Sequence, residues 1–274
     1  MRPEAGLSRD PNAPPESQAG VDFGRTAEDY ARYRAGFPAA LFERLLALGI
    51  GSPGQRVLDL GTGTGSLARG FALAGCDVIG MDVAEPMLRM ARRLDAEASV
   101  LVRYLMAGAE ATALRDGSVD VVACGQAWHW FDRPRAAGEA RRVLTPGGAL
   151  ALCRLDYVPL PGNVVEATED LIRRWDPEYA PMPTTGMSPE WALDAGAAGF
   201  VDVETFSFDV AIAYAHEAWR GRIRAHASVG AKLGAGQVRT FDGELASMLA
   251  GRFPGDPMDV PHRVWSLVAR SPSA

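Results

Sequence analysis

Asp59 and Asp82 end two short apolar runs, and between them the chain reads Gly61-Thr62-Gly63-Thr64-Gly65. A glycine turn that leaves a strand and opens a helix lets a ligand approach the backbone closely, because no Cβ stands in the way. The spacing departs from a dinucleotide loop, whose third glycine would fall at position 66. Ser66 stands there, and the third glycine comes one place early. A carboxylate at Asp59 would repel a pyrophosphate, yet it suits a ligand carrying an ammonium group and a sulfonium. Asp82, 21 residues after Gly61, is spaced to accept both hydroxyls of a ribose. Strand, acid, loop, helix and second acid, in that order, point to a cationic nucleoside. They count against a nicotinamide-dependent oxidoreductase.

Such residues need a scaffold that brings strand ends together, and the chain alternates accordingly. Residues 56–60, 77–81, 100–105, 118–124 and 149–155 read as strands; 38–48, 66–74, 86–94 and 135–144 read as helices. This alternation predicts a parallel sheet with helices on both faces. After Asp156 the rhythm breaks, and residues 158–190 carry six prolines around a helix-like stretch at 164–175. That composition suits a cap over a cleft better than it suits sheet. A strand at 201–213, helices at 216–231 and 238–251, and a last strand at 261–269 complete the pattern.

The bulk properties bound the partners. A net charge of −6 in 274 residues offers no strongly basic face, which counts against nucleic acid. Lys232 is the only lysine, which removes the usual amine nucleophile from almost everywhere. Cys76, Cys124 and Cys153, widely spaced in apolar runs, read as reduced core cysteines, with no zinc pattern. No apolar run reaches the roughly 18 residues of a membrane span. Residues 1–20, rich in Pro, Ser and charge, read as a disordered tail without a signal-peptide core. A cytoplasmic protein without a membrane partner is expected.

The stretches DLGTGTG (59–65), GMDVAEPMLRMAR (80–92), GAEATALRDGSVDVV (108–122) and LTPGGALAL (144–152) resemble successive motifs of class I S-adenosylmethionine-dependent methyltransferases. More narrowly, the chain is similar to the UbiE/trans-aconitate-type (methyltransferase type 11) small-molecule enzymes. The resemblance is specific over residues 22–156 and looser over 200–274. The runs 30–34, 126–132 and 221–224 share in it. It implies an α/β, Rossmann-like, doubly wound, mostly parallel seven-stranded sheet with an inserted helical cap. The expected division is a tail at 1–20, a cofactor-binding core at 21–157, a cap or lid at 158–199, and a C-terminal part of the core with a helical cap segment at 200–274.

For the cofactor, S-adenosyl-L-methionine, the resemblance implies residue roles. Asp59, Gly61, Thr62 and Gly63 hold the methionine part. Asp82 holds the ribose, Val83 and Met87 lie against the adenine, and Ala109 and Glu110 lie at its edge. Gln126 flanks the methionine moiety, and Tyr30 or Arg34 closes the site from the N-terminal side. One departure is Gly108, where many relatives carry an acid able to receive the adenine amino group. Adenine recognition then falls to backbone groups, Glu110 or water.

Methyl transfer from a sulfonium is an in-line displacement at carbon, so alignment and exclusion of water do most of the work. A general base is needed only where the nucleophile keeps its proton. Trp128-His129-Trp130 leaves the fourth strand at the edge where open α/β sheets bind ligands. His129 is the first candidate for a base or an orienting hydrogen bond; the plainer reading is a histidine that fixes the loop. Trp128 and Trp130 are candidates to pack on a planar acceptor, with core packing as the alternative. Arg154, Asp156 and Tyr157 follow the fifth strand and are further candidates. Arg222 and His226, four apart, either point inward or form a solvated helix face. Trp175, Trp191 and Trp219 read as cap core. No carboxylate cluster resembles the metal site of catechol-type enzymes, and the Asn-Pro-Pro-Tyr run of nucleic-acid amino methyltransferases is missing. The expected partner is a small-molecule acceptor with an oxygen, nitrogen or carbon nucleophile, and a homodimer is compatible with the chain. The alternative is an S-adenosylmethionine-binding protein without transferase activity, regulatory or scaffolding.

Overall fold

The computed structural model describes residues 33–179 and 186–273; the expected tail at 1–20 and Tyr30 lie outside the described residues. Seven strands form one sheet: β1 (Arg56–Leu60), β2 (Asp77–Asp82), β3 (Arg103–Met106), β4 (Val119–Gly125), β5 (Leu144–Tyr157), β6 (Val201–Tyr214) and β7 (Met258–Arg270). Their order is β3-β2-β1-β4-β5-β7-β6. β1 to β5 pair in parallel, while β7 runs antiparallel to both β5 and β6. This is the mostly parallel, doubly wound sheet that the alternation predicts.

Burial explains the strand sequences. β1, β4 and β5 are covered on both faces and read as near-continuous apolar runs, as central parallel strands do. β6 is the edge, and there Phe206, Phe208, Val210 and Ile212 pack inward while the alternate residues face out. β3 begins at Arg103, three residues later than the apolar run suggests. Leu101 is left exposed and only four residues pair with β2. At this end the sheet has no second neighbour to bury a longer strand.

Helices α1 (Ala39–Ala47) and α2 (Ser66–Leu73) cover one face with Leu41, Leu45, Leu67 and Phe71. Helix α3 (Glu85–Glu97) follows β2. The other face is covered by α4 (Arg133–Val143), whose Ala136, Ala137, Ala140 and Val143 make a flat surface against β4 and β5. A third cluster sits over the carboxyl ends of the parallel strands. There α5 (Val164–Trp175), α7 (His216–Arg224) and α8 (Ala235–Arg252) pack Leu171, Trp219, Ile223, Phe241 and Leu245 against Tyr214, Met258 and Val260. Phe241, Leu245 and Leu249 recur every four residues and form the buried stripe of α8.

Two expectations change. The helical stretch expected at 216–231 stops at Arg224 and continues as a short π-type turn, Ala227–Ala231, with His226 accepting from the Ser228 amide at its start. Helix α6 (Trp191–Ala197), expected within the cap, packs instead on the sheet face with α4. Trp191 is buried there, its ring 5.6 Å from Trp265 of β7 and 5.6 Å from the Arg154 guanidinium carbon. The cap is therefore assembled from α5, α7 and α8, two separate stretches of chain. Among the described residues no helix is long and apolar enough to cross a membrane.

Trp191→Ala should cost about 3–5 kcal/mol, the usual range for truncating a buried aromatic side chain. Urea unfolding is the check, and a loss under about 1 kcal/mol would mean that α6 contributes little to the sheet core.

Candidate active site

The strand order reverses between β1 and β4, and ligands of open α/β sheets bind in the crevice at such a point. The turn after β1 and the loop after β4 meet there. Gly61, Gly63 and Gly65 all adopt left-handed φ, of 63°, 56° and 77°. At Gly61 the requirement is double, because a Cβ would come within 2.5 Å of the Ala127 Cβ and 2.9 Å of the Phe131 ring. The turn is tied to β2 by the Thr62 amide, which donates to the Met81 carbonyl at 2.8 Å.

Two carboxylates hold this turn from either side. Asp82, at the end of β2, accepts from the Gly63 amide at 2.8 Å and from the Ala84 amide at 2.9 Å. Asp59 is 1% exposed; its Oδ2 accepts from the Thr62 hydroxyl at 2.7 Å and the Ala68 amide at 3.2 Å. Its Oδ1 is buried with no hydrogen-bond partner among the described residues. Burial pushes the Asp59 carboxyl up to about 7, opposed by the Thr62 and Ala68 hydrogen bonds and reinforced by the charge of Asp82. Burial raises Asp82 as well, against the amides of Ala84, Gly63 and Val83.

Around the turn, Val83 is exposed at the lip, whereas Met87 is buried with its methyl 3.5 Å from where a Gly63 Cβ would lie. Ala109 is buried in the sheet core. Glu110 accepts from the Asp132 amide at 2.9 Å, tying the loop after β3 to the start of α4. Gln126 has φ of +62°, a left-handed conformation that a non-glycine residue holds only where neighbours impose it. Here the Gln126 amide donates to the Cys153 carbonyl at 2.9 Å, and its side chain donates to the Leu155 carbonyl and to Asp156. Asp156 pairs with Arg154 at 2.6 Å, and Arg154 donates to the Ser188 hydroxyl at 2.6 Å.

The loop after β4 splits its aromatic pair. Trp128 corrects an expectation: it is fully buried beneath the loop, its indole N–H donating to Asp194 of α6 at 3.0 Å, so it packs the core and offers no face to an acceptor. His129 is exposed, its ring 4.8 Å from that of the half-buried Trp130. Desolvation by the neighbouring protein, with the charges of Arg154 and Arg34 nearby, lowers its imidazole to about 4.

Tyr157, Arg222 and His226 come together at the cap. The Arg222 guanidinium carbon lies 5.3 Å from the Tyr157 ring, and the His226 ring lies 5.4 Å from Tyr179. Arg34 is close enough to act on His129, His226 and Tyr157. The sequence reading missed His262 of β7 and Tyr214 of β6, whose rings stack 5.8 Å apart beside Tyr157. His262 carried a signal, since it is a polar residue on the buried side of the alternation Val260, His262, Val264.

Asp59 makes stability depend on pH. Its folded-state value lies above the ordinary 3.8, so its contribution is fully present below about pH 4 and is lost as pH rises through about 7. Asp59→Asn, which cannot ionise, should gain thermal stability on the parent as pH rises from about 5 to about 8. A difference in melting temperature that stays constant over that range would show that Asp59 does not titrate there.

Residues 58–152 match the family described as a methyltransferase domain. An uncharacterized methyltransferase of Mycobacterium tuberculosis is 36% identical over 159 residues, covering 56% of this chain and 62% of that protein. A malonyl-[acyl-carrier protein] O-methyltransferase of Pectobacterium atrosepticum is 40% identical over 134 residues, covering 48% and 51%. The chain thus spans between half and two-thirds of the length of these curated relatives. Phosphoethanolamine N-methyltransferase 2 of Haemonchus contortus, solved with S-adenosyl-L-methionine, shares the fold at a TM-score of 0.54 and 21% identity, over 94% of this chain and 59% of that one. Over residues 58–152 the chain is thus similar to a methyltransferase domain, and the relatives it matches there are named as methyltransferases.

Proposed function

We propose that this chain transfers the methyl group of S-adenosylmethionine to an oxygen, nitrogen or carbon nucleophile of a small-molecule acceptor by in-line displacement. One observation carries the reading: a bare glycine turn stands between two carboxylates, one of which keeps a buried oxygen without a partner. An orphaned buried acceptor is costly unless a donor arrives, and an ammonium group is such a donor. When bound, the cofactor supplies a methyl group on a sulfonium, which departs as a neutral thioether.

The chain's own residues then bind, align and dry the reactants. Asp59, Gly61, Thr62 and Gly63 are to hold the methionine part. Asp82 retains acceptor capacity for ribose hydroxyls after its two amide bonds. Val83 and Met87 flank the adenine, with Ala109 and Glu110 at its edge, and Gln126 lies beside the methionine part. Arg34 closes the N-terminal side. His129, neutral at physiological pH, is available to take a proton or to orient the acceptor. Trp130, Tyr157, Arg222 and His226 face the acceptor. Holding the reactants in line supplies up to about 7–11 kcal/mol in favourable intramolecular cases.

The same reading makes residues 21–157 the cofactor core, 158–199 the lid stretch apart from α6, which packs on the sheet face, and 200–274 the remaining core with its cap segment. It gives the chain a cytoplasmic, biosynthetic role, as monomer or homodimer, with no nucleic-acid or membrane partner.

Calorimetry with S-adenosylhomocysteine should give binding that Asp82→Ala weakens about tenfold or more, the worth of hydrogen bonds to a charged group. A folded protein that leaves S-adenosylhomocysteine unbound would overturn the proposal. Binding without transfer to any acceptor would leave a non-transferring cofactor-binding protein. His129→Ala should lower kcat by roughly 10²-fold or more if His129 is the base; unchanged turnover at saturating acceptor removes that role.

A further inference from the structure

Among the described residues one cation of the cap is half-buried without a carboxylate; Arg239 and Arg252 of α8 also lack one but are exposed. Arg173, Arg174, Arg220, Arg224 and Lys232 each have a carboxylate within 4.0 Å. Arg222 has no such carboxylate among the described residues. Helix geometry separates it from the others: Arg220 and Arg224 share the face that pairs with Asp242 and Glu217, while Arg222 lies about 200° round from Arg220. That face looks at the end of β5, where the guanidinium sits 5.3 Å from the Tyr157 ring.

The groups around Arg222 do not supply a counter-charge. Glu169 is taken by Arg173 at 3.3 Å, and Asp156 by Arg154 at 2.6 Å. Tyr157, Tyr214 and His262 form a ring cluster with contacts of 5.8 and 6.2 Å, and His226 follows on the same chain segment as Arg222. Arg34, Tyr157, Arg222 and His226 all keep part of their surface open to solvent. Burial is nevertheless the largest cause of the shifts at the half-exposed Tyr157 and His226, as for side chains that line a recess, while His262 is buried behind them. His226 and His262 are held to about 4 by burial, with the charges of Arg222 and Arg34 adding to it. Both histidines are thus neutral; His262 donates its Nδ1–H to the Val260 carbonyl at 2.9 Å, whereas His226, whose Nδ1 accepts from the Ser228 amide, keeps its Nε2–H to donate. The positive charge beside these rings is the Arg222 guanidinium.

Resting on the methyltransferase reading above, we infer that the acceptor carries an oxyanion, a carboxylate or a phosphate, which docks on Arg222 beside Tyr157 with Arg34 on the opposite chain segment. A partly buried guanidinium without a carboxylate is best satisfied by an oxyanion, which it can grip with two parallel N–H donors. The tyrosine hydroxyls and the neutral His226 imidazole around it add donors without adding charge.

The test fractionates a small-molecule cell extract on a strong anion-exchange resin at neutral pH and assays each fraction with methyl-labelled cofactor. Transfer should appear in the salt-eluted fractions, and phosphatase treatment of those fractions separates a phosphate acceptor, which is lost, from a carboxylate, which is not. With that fraction, Arg222→Gln should raise the acceptor KM at least tenfold, change kcat less, and leave S-adenosylhomocysteine affinity at the parental value. Arg222→Lys, which keeps the charge without the fork, should recover part of the loss. Unchanged cofactor affinity also reports that each variant is folded. Transfer confined to the flow-through, or a parental KM in Arg222→Gln, overturns the oxyanion and leaves methyl transfer standing. Transfer in no fraction overturns both.

Discussion

Two carboxylates gripping one backbone turn is the constraint on which the rest of this molecule depends. β1 and β2 pair in parallel with Leu60 opposite Met81, so Asp59 and Asp82 emerge side by side. The turn between β1 and α2 passes through this gap with the Gly63 amide donating to Asp82 and the Thr62 hydroxyl to Asp59, which also accepts from the Ala68 amide of α2. An ion so deeply buried is costly to keep, and the elevated Asp59 carboxyl records that cost. The close-packed neighbours explain why it persists. Gly61 touches the loop after β4, Gly65 lies against Tyr104 and Ala91, and Gly80 leaves room for the Tyr104 ring and the Thr62 hydroxyl. Side chains at these three glycines would push the turn off its acids.

The cap is joined to the sheet by strands that outrun their neighbours. β5, β6 and β7 extend past the ends of β1 and β4, and their tips carry Tyr157, Tyr214 and His262 into the helical layer. Trp219 locks the layer, contacting Tyr157 and Tyr214 edge-on at 5.5 and 5.4 Å and donating its indole N–H to Thr168 of α5 at 3.0 Å. Of the ion pairs on α7 and α8, those to Glu217 are solvent-accessible and contribute little each, while Arg220 and Arg224 share the partly buried Asp242. Cohesion comes from the buried aromatics, and the ion pairs orient the helix that presents Arg222.

Between core and cap, the loop after β4 does most of the positioning. Gln126 is forced into a left-handed turn by its hydrogen bonds to β5, and this swings Trp128 into the core and His129 out. The chain Gln126–Asp156–Arg154–Ser188 then links that loop to the segment leading into α6. Any acceptor held above the loop is referenced to the sheet through this network. Geometry at the site is thereby coupled to packing two layers away.

From the residues alone, the sheet, its helices and the glycine turn could all be read, because each depends on local periodicity and on spacing within one β-α unit. The two acids were legible for the same reason: strand ends are recognisable, and adjacent parallel strands bring them together. Trp128 and Trp191 were not legible, since a tryptophan serves a core or a cleft equally well until its neighbours are known. The cap was legible as a helical stretch at 164–175 and a helical segment after residue 200, but the departure of α6 from it to the sheet face was not. Tyr214, His262 and Arg222 meet only because β6 and β7 pair over fourteen and thirteen residues and deliver their ends to one place. Sequence determined the grip on the turn, a matter of local chemistry; tertiary structure decided which distant side chains face the space above it, a matter of packing that no local pattern encodes.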